Sequence, residues 1–455
     1  MAILPDTILS LPDVSIKGAI LSPIPGVSID TRSLNAGDLF VAFIGSQVDG
    51  HDFIPKAISR GASAVMASTS WDGCEDWDAS IPLIMTEDPV KSLADLATAH
   101  RKLVNIPLIA ITGTNGKTST KNLLTHILSK QFSVLSTDGN FNNHIGLPLT
   151  LLKLNNSHEM AVIEMGASQK GDIQYLCDIA QPDQGMITNI SLAHTEFFKD
   201  IETIQATKGE LFQYLRANGG RVFVNLDDKR VSDLGQGYTN SVSYSFNEEA
   251  KHSFMMTGPD KTGCYDLQFR KYSAHLNQPG KAIAFNAAAA ATIALENGIR
   301  VDQLQEALED YSGETGRMQH EEVGGVHFYN DAYNANPASA KAGFETMAEI
   351  NSSARKILIF ADMLELGIQS IESHVTAATQ MLKAEFDHII LLGEEVVNTA
   401  HHLKEQGFTS LYYNNNKAES LHHFLEEVKP GDLVYLKGSR GMQLEDYVNA
   451  YKENN

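Results

Sequence analysis

Two glycines, a lysine and several hydroxyl side chains fall together in Thr112-Gly113-Thr114-Asn115-Gly116-Lys117-Thr118-Ser119. Gly113 and Gly116 let the backbone turn tightly, so that successive N–H groups can point at phosphate oxygens. A helix starting there adds the positive end of its dipole. Lys117 would reach the β- and γ-phosphates of ATP, and the Thr118 hydroxyl would coordinate Mg²⁺. A strict form of this loop has glycine at position 111, where this chain has Ile111, so the match is the shorter Gly-Thr-x-Gly-Lys-Thr. The bland alternative is a glycine-rich turn capping a helix. Context favours the nucleotide site: the apolar run 107–111 reads as a strand, and Leu123, Leu124, Ile127 and Leu128 share one face of the helix that follows.

A second candidate is Glu164, at the carboxyl end of the apolar run Met160-Ala161-Val162-Ile163. Ligands bind at that edge of an open parallel sheet. Mg²⁺ prefers hard oxygen donors and keeps several waters, so Thr118 and one carboxylate suffice as protein ligands. A Glu at a strand end is more often simply solvated; the neighbouring phosphate loop and the Met165-Gly166-Ala167 that follows tip the reading towards a metal ligand. His194 follows another strand end, and Lys208 lies in a predicted helix, where a lysine is usually a solvated side chain.

These residues need a scaffold, and the sequence supplies one. The 455 residues are too many for one core and suggest three domains. In the first block, strands are predicted over 37–45, 64–67 and 82–85, with helices over 53–60 and 90–103. In the second, strands over 107–111, 160–164, 185–190 and 221–225 alternate with helices over 201–216 and 282–297, the signature of a mostly parallel sheet covered by helices. A polar, glycine-bearing stretch over 311–316 reads as a linker. Beyond it, strands over 326–330, 356–361, 388–392 and 432–436 alternate with helices, which predicts a smaller Rossmann-like domain. The fold class expected is therefore α/β in three domains, over 1–103, 104–313 and 314–455.

A formal net charge of −21 argues against nucleic acid or an anionic membrane as a bulk partner. Cys74, Cys177 and Cys264 are far apart, without metal-ligand or disulfide spacing, which fits a reducing compartment. The N-terminus lacks a secretory pattern, and no stretch approaches the ~20 apolar residues that span a bilayer. A soluble cytoplasmic protein is expected.

Several segments together resemble the Mur ligases of cell-wall synthesis and the related folylpolyglutamate ligases. Besides the loop, these are Gly139-Asn140-Phe141-Asn142-Asn143-His144-Ile145-Gly146-Leu147-Pro148-Leu149-Thr150, Glu164-Met165-Gly166-Ala167, Asn330-Asp331-Ala332-Tyr333-Asn334-Ala335-Asn336-Pro337, Asp362-Met363-Leu364-Glu365-Leu366-Gly367 and Lys437-Gly438-Ser439-Arg440. In the first block, Asp30-Thr31-Arg32, 37–45 and Asp49-Gly50-His51 resemble the UDP-sugar domain of two Mur ligases. The resemblance covers essentially the whole chain in order. The Asp-x-Tyr-Asn-Ala-Asn-Pro form is similar to that of members acting on D-alanyl-D-alanine. The Asp-Asn-Pro-Arg motif expected of a diaminopimelate-adding member is absent.

The resemblance implies an ATP-dependent ligase that joins a carboxylate to an amine through an acyl phosphate. Its expected substrates are UDP-N-acetylmuramoyl-tripeptide and D-alanyl-D-alanine, and it is expected to act as a monomer in peptidoglycan precursor synthesis. Such chemistry must bring a carboxylate to a triphosphate. Two like unit charges about 4 Å apart repel by ~4 kcal/mol at an effective dielectric of 20, so cationic groups must offset this. The resemblance further implies that His194 ligates a second Mg²⁺ and that Lys208 is carbamylated, becoming an anionic oxygen donor near it. Asn286, Arg317 and Asp331 are implied on the base, γ-phosphate and ribose. For the substrates, Thr31 and Arg32 are candidates at the uridine-diphosphate end. Asn142, Asn143 and His144 are candidates near the peptide or amine, although Asn142-Asn143 reads equally as an irregular loop. Asn334 and Asn336 are substrate candidates or turn formers before Pro337. One departure stands out: the family's Gly-x-His-Asn-x-x-Asn reads Gly280-Lys281-Ala282-Ile283-Ala284-Phe285-Asn286 here, so contacts of the His and first Asn to ATP are lost or replaced. A same-mechanism ligase, such as a third-amino-acid Mur ligase or a folylpolyglutamate synthase, remains an alternative, and a P-loop nucleotide-switch protein a more remote one.

Overall fold

Three sheets in succession organise the chain. The structure, a computed structural model, describes residues 2–75, 77, 80–192, 198 and 200–454. The first sheet contains β1 (Val14–Lys17), β2 (Val27–Ser28), β3 (Leu39–Val41), β4 (Ala64–Ser68) and β5 (Leu83–Thr86), in the order β1-β5-β4-β3-β2. Only β1 runs antiparallel to its neighbour. The strand expected over 37–45 is shorter than read: beyond Val41 the chain turns back on itself, with Gly45 N–H donating to Val48 O and Gly50 N–H to Phe43 O. The helix expected over 53–60 is Ile54–Ser59, entered through a 3₁₀ turn over Gly50–Phe53.

Among the described residues the central sheet has nine strands: β6 (Leu108–Thr112), β7 (Val134–Ser136), β8 (Met160–Glu164), β9 (Gln184–Ile187), β10 (Arg221–Asn225), β11 (Ser241–Ser245), β12 (His252–Thr257), β13 (Cys264–Phe269) and β14 (Tyr272–Pro279). Their order is β14-β13-β12-β11-β10-β9-β6-β8-β7. From β7 to β12 neighbours are parallel; β13 and β14 add an antiparallel hairpin at one edge. The chain leaves β6 towards β7 and β8 on one side and later returns to β9 on the other, so a crevice opens at the carboxyl end of β6. The central strands β6 and β8 are short, largely apolar and buried on both faces. The strand expected over 185–190 stops at Ile187, because Thr188 and Asn189 leave the ladder to brace the phosphate loop.

The third sheet contains β15 (Gln319–Val323), β16 (Val326–Asp331), β17 (Lys356–Ala361), β18 (His388–Leu392), β19 (Leu411–Asn414) and β20 (Leu433–Lys437), ordered β15-β16-β20-β17-β18-β19. All but β15 are parallel, and the last strand inserts between the first two of the parallel set. The carboxyl ends of β16 and β20 therefore lie side by side, pairing Asp331 with Lys437 in register.

The helix Pro89–Leu103 fastens the first sheet to the second. Asp88 caps it, accepting from Val90 and Lys91 N–H. Leu93 and Leu96 are fully buried in a core that continues through Leu147, Leu151, Leu176 and Ile179 of the central unit; each such side chain contributes ~1.5–3 kcal/mol of burial. His100 Nε2 contacts Leu154 O at 2.8 Å, and Arg101 Nε donates to Ala180 O at 3.1 Å. All three cysteines are buried and free. No helix among the described residues is long and apolar enough to cross a membrane.

Candidate active site

The crevice at the end of β6 is the mouth of a cleft of about 830 Å³ that also receives the ends of β8, β16 and β20. The phosphate loop forms its floor. Gly113 has φ +146°, and a Cβ there would lie 1.9 Å from Thr188 Oγ1; Gly116 has φ +78°, and its Cβ would lie 2.4 Å from Asn286 Oδ1. Both positions thus demand glycine on conformational and steric grounds. The loop is braced by the segment after β9: Thr114 N–H donates to Asn189 O at 2.9 Å, Asn115 N–H to Asn189 Oδ1 at 3.1 Å, and Thr188 Oγ1 to Asn115 O at 2.6 Å. The helix Lys117–Leu128 then leaves the loop with its N-terminus at the cleft, the arrangement that binds anions.

Lys117 Nζ donates to Gly113 O at 2.9 Å and Thr114 O at 3.1 Å. An ammonium has three N–H groups, so one is left for a phosphate oxygen. Desolvation pushes the Lys117 pKa down; Glu164 opposes this and Arg317 reinforces it. Its charge is therefore short of partners until an anion enters. Thr118 and Ser119 line the cleft beside it.

Glu164 is 2% exposed. Its Oε1 accepts from Asn142 Nδ2 at 2.7 Å, and its backbone N–H donates to Thr137 Oγ1 at 2.9 Å. Its Oε2 is buried without a hydrogen-bond partner among the described residues. A buried carboxylate oxygen left unpaired is costly unless something cationic meets it. A hard oxygen donor in a phosphate cleft beside the Thr118 hydroxyl is a donor set that fits Mg²⁺.

Lys208 lies on the helix Ile201–Ala217 and is 4% exposed, which overturns the ordinary picture of a solvated helix lysine. Burial, and secondarily Lys117, push its pKa well below the usual value. His194 lies outside the described residues.

The opposite wall comes from the C-terminal unit. Asp331 Oδ2 pairs with Lys437 Nζ at 2.6 Å and accepts from Tyr435 OH at 3.2 Å, while Asp331 Oδ1 accepts from Met318 N–H at 3.2 Å. Arg317 pairs with Glu314 at 3.2 Å and stacks over Tyr333 at 4.3 Å. Asn336 Nδ2 donates to Asn115 Oδ1 at 2.8 Å, across the two units. Asn286, on the helix Lys281–Glu296, accepts from Thr120 Oγ1 at 3.4 Å. Beside it, Ala282 and Ile283, where the family pattern would place His and Asn, join Phe285 in an apolar wall of the cleft.

The cleft thus gathers Thr114, Asn115, Gly116, Lys117, Thr118, Ser119, Asn142, Asn143, His144, Glu164, Lys208, Asn286, Arg317, Asp331, Asn334 and Asn336. Gly113 supports it from beneath. Asn143 also has a local task, since its Oδ1 accepts from Ile145 and Gly146 N–H and starts the helix Gly146–Leu151. Thr31 and Arg32 do not line the cleft: Thr31 is buried with its carbonyl accepting from Arg60, and Arg32 is exposed and paired with Asp30 at 2.7 Å. Sequence reasoning assigned no role to Lys437, 2% exposed at the end of β20. The only signal was its place in Lys437-Gly438-Ser439-Arg440, because a strand-end lysine ordinarily reads as solvated.

The match to known proteins covers the same three units. The family model for the Mur ligase catalytic domain matches residues 23–101, that for the Mur ligase middle domain 111–294, and that for the Mur ligase glutamate ligase domain 316–440. This chain belongs to the Mur ligase family. It is 31% identical to UDP-N-acetylmuramoyl-tripeptide–D-alanyl-D-alanine ligase of Bacillus subtilis, over 95% of each chain. Among solved structures, MurF from Acinetobacter baumannii superposes with a TM-score of 0.89 at 26% identity, covering 100% of this chain and 99% of that one. MurF ligase from Thermotoga maritima in complex with ADP superposes with a TM-score of 0.82 at 26% identity, covering 94% and 97%.

Proposed function

We propose that this chain joins D-alanyl-D-alanine to the terminal carboxylate of UDP-N-acetylmuramoyl-tripeptide, with ATP cleaved to ADP and phosphate. The observation that carries the reading is the single cleft in which the phosphate loop and Glu164 of one unit face Arg317, Asp331, Asn336 and Lys437 of another. ATP draws on the first set together with Arg317 and Asp331, and Asn142, Asn143, His144, Asn334 and Asn336 line the same cleft. A ligase must also hold an acyl donor and an amine, and two facing units provide room for them. The full-length match to relatives bearing that name supports the substrate assignment. In this reading residues 1–103 bind the UDP end, with Thr31 and Arg32 as contacts, 104–313 bind ATP, and 314–455 dock the amine.

The chemistry divides into two transfers. A carboxylate oxygen attacks the γ-phosphorus; the bond to the bridging oxygen breaks, and ADP leaves with the electron pair. The dipeptide amine then attacks the acyl phosphate, inorganic phosphate leaves, and the amine gives up its proton. Lys117, with one N–H free, meets the γ-phosphate charge as it shifts to the leaving oxygen. Glu164 and Thr118 would hold Mg²⁺, which would neutralise polyphosphate charge. The Lys208 amine would add CO₂, losing a proton to become a carbamate, and with His194 it would hold a second ion. Asn286 and Asp331 position the nucleoside, and Arg317 reaches the γ-phosphate. Asn142, Asn143, His144, Asn334 and Asn336 orient the peptide and amine. Closure of the two units excludes water from the acyl phosphate.

The test is phosphate release from ATP and Mg²⁺ with UDP-N-acetylmuramoyl-tripeptide, with and without D-alanyl-D-alanine. Release that requires the dipeptide, with a UDP-pentapeptide product by mass, is expected. Release indifferent to the dipeptide would sink the assignment.

A further inference from the structure

We propose that Asp260, Cys264 and His275 form a binding site for a zinc-class transition-metal ion, beside the junction of the central and C-terminal sheets. Asp260 lies in the turn between β12 and β13, Cys264 opens β13, and His275 lies on β14. One ligand atom from each lies within 4.8 Å of the others, and His275 Nε2 is 3.7 Å from Asp260 Oδ2. Donors ~2.0–2.3 Å from a tetrahedral zinc sit about 3.3–3.7 Å from one another. The nitrogen–oxygen pair already has that spacing, and the sulfur needs to close by about 1 Å at most. None of the three residues lines the ATP cleft.

The surroundings orient the imidazole and the carboxylate towards this common point. His275 Nδ1 meets Asp266 Oδ1 at 2.8 Å, its cross-strand partner in the β13–β14 pairing. That contact places the ring proton on Nδ1 and leaves the Nε2 lone pair facing Asp260 and Cys264, the carboxylate–histidine arrangement that supports metal-bound imidazole. Asp260 is fixed through its other oxygen: Oδ1 accepts from Thr262 N–H at 2.8 Å, Thr262 Oγ1 at 2.8 Å and Cys264 N–H at 2.9 Å. Oδ2 is thereby left for the ion. Cys264 is 5% exposed and free. On binding, its thiol proton leaves to solvent and the thiolate takes the ion.

Sulfur and imidazole nitrogen beside one carboxylate oxygen select zinc-class ions over Mg²⁺, which wants oxygen alone. Three protein ligands leave a fourth position for water. Location suggests the purpose. A Cβ on Gly263 would lie 3.0 Å from Ile350 Cγ1, and Tyr265 OH donates to the Glu349 carboxylate. An ion here clips the turn to β14 where the turn abuts the C-terminal unit.

The experiment is a Co²⁺ titration of the full-length protein with Mg²⁺ in excess, followed by Zn²⁺ displacement. One equivalent of Co²⁺ is expected to give a thiolate-to-cobalt charge-transfer band that Zn²⁺ abolishes. Cys264→Ser should remove the band, and His275→Ala should weaken binding at least tenfold. Asp266→Asn, which touches no ion, should weaken it about tenfold or more by releasing the ring. His275 is exposed and Asp266 half-buried, so those variants should melt with the wild type in the absence of metal. No charge-transfer band, a band that survives Cys264→Ser, or equal Zn²⁺ affinity in the wild type and His275→Ala would overturn the proposal.

Discussion

Asn336 Nδ2 donates to Asn115 Oδ1 at 2.8 Å, joining the C-terminal unit to the phosphate loop across 221 positions of sequence. The same asparagine caps the helix Pro337–Glu349, its Oδ1 accepting from Ser339 N–H at 2.8 Å. Its oxygen thus serves the helix and its nitrogen serves the loop.

That division makes the two tasks separable. Asn336→Ser keeps an oxygen for the cap and loses the donor to Asn115, so melting should stay close to the wild type while kcat falls about tenfold, the value of one well-placed hydrogen bond of ~1.4 kcal/mol. Asn336→Ala should show the same kinetic loss together with ~1 kcal/mol of instability from the missing cap. Steady-state kinetics beside thermal melting checks both. Unchanged kcat in Asn336→Ser would mean that the contact plays no part in turnover.

Glu164 offers a test of the metal assignment. Glu164→Gln keeps an acceptor for Asn142 and removes the charge that the unpaired Oε2 carries. The Mg²⁺ concentration giving half-maximal activity should rise by about tenfold or more, with the KM for dipeptide little changed. An unaltered Mg²⁺ dependence would place the ion elsewhere.

Lys208 is buried in the cleft, where desolvation pushes its pKa down, and should react with CO₂. Enzyme depleted of CO₂ is expected to lose activity and regain it with bicarbonate. Lys208→Ala should lose activity by about a hundredfold or more and recover part of it with acetate or formate. A fully active Lys208→Ala protein would remove the lysine from the site.

Acid stability should depend on His100. The ring is fully buried; Nε2 contacts Leu154 O, while Nδ1 has no partner among the described residues. Desolvation pushes its pKa below the ordinary 6.5. The unfolded chain therefore binds the proton more readily, so stability should fall as pH drops through 6.5 and level off below the depressed native value. His100→Gln keeps a donor for Leu154 and cannot titrate. Urea unfolding at about pH 7.5 and about pH 5.5 should show a smaller acid loss in that variant, and an equal loss would shift the cause to other buried histidines such as His374.

The sequence by itself determined the parts whose physics is local. The phosphate loop is legible because Gly113, Gly116, Lys117 and Thr118 act within one turn of chain between a strand and a helix. Strands such as Met160–Glu164, Arg221–Asn225, Lys356–Ala361 and His388–Leu392 were legible to the residue, since a strand buried on both faces is a short apolar run with polar ends. The β11–β14 edge was not read: its strands mix polar and apolar residues, and the antiparallel hairpin breaks the βαβ rhythm that guided the reading. Tertiary structure alone decided what depends on distant chain meeting. It buried Lys208 beneath the cleft, set Lys437 against Asp331 by inserting β20 beside β16, and carried Asn336 to Asn115. No local pattern encodes these, because a lysine or asparagine has the same propensity whether it faces water or an opposing domain, and only the docking of the sheets removes the water.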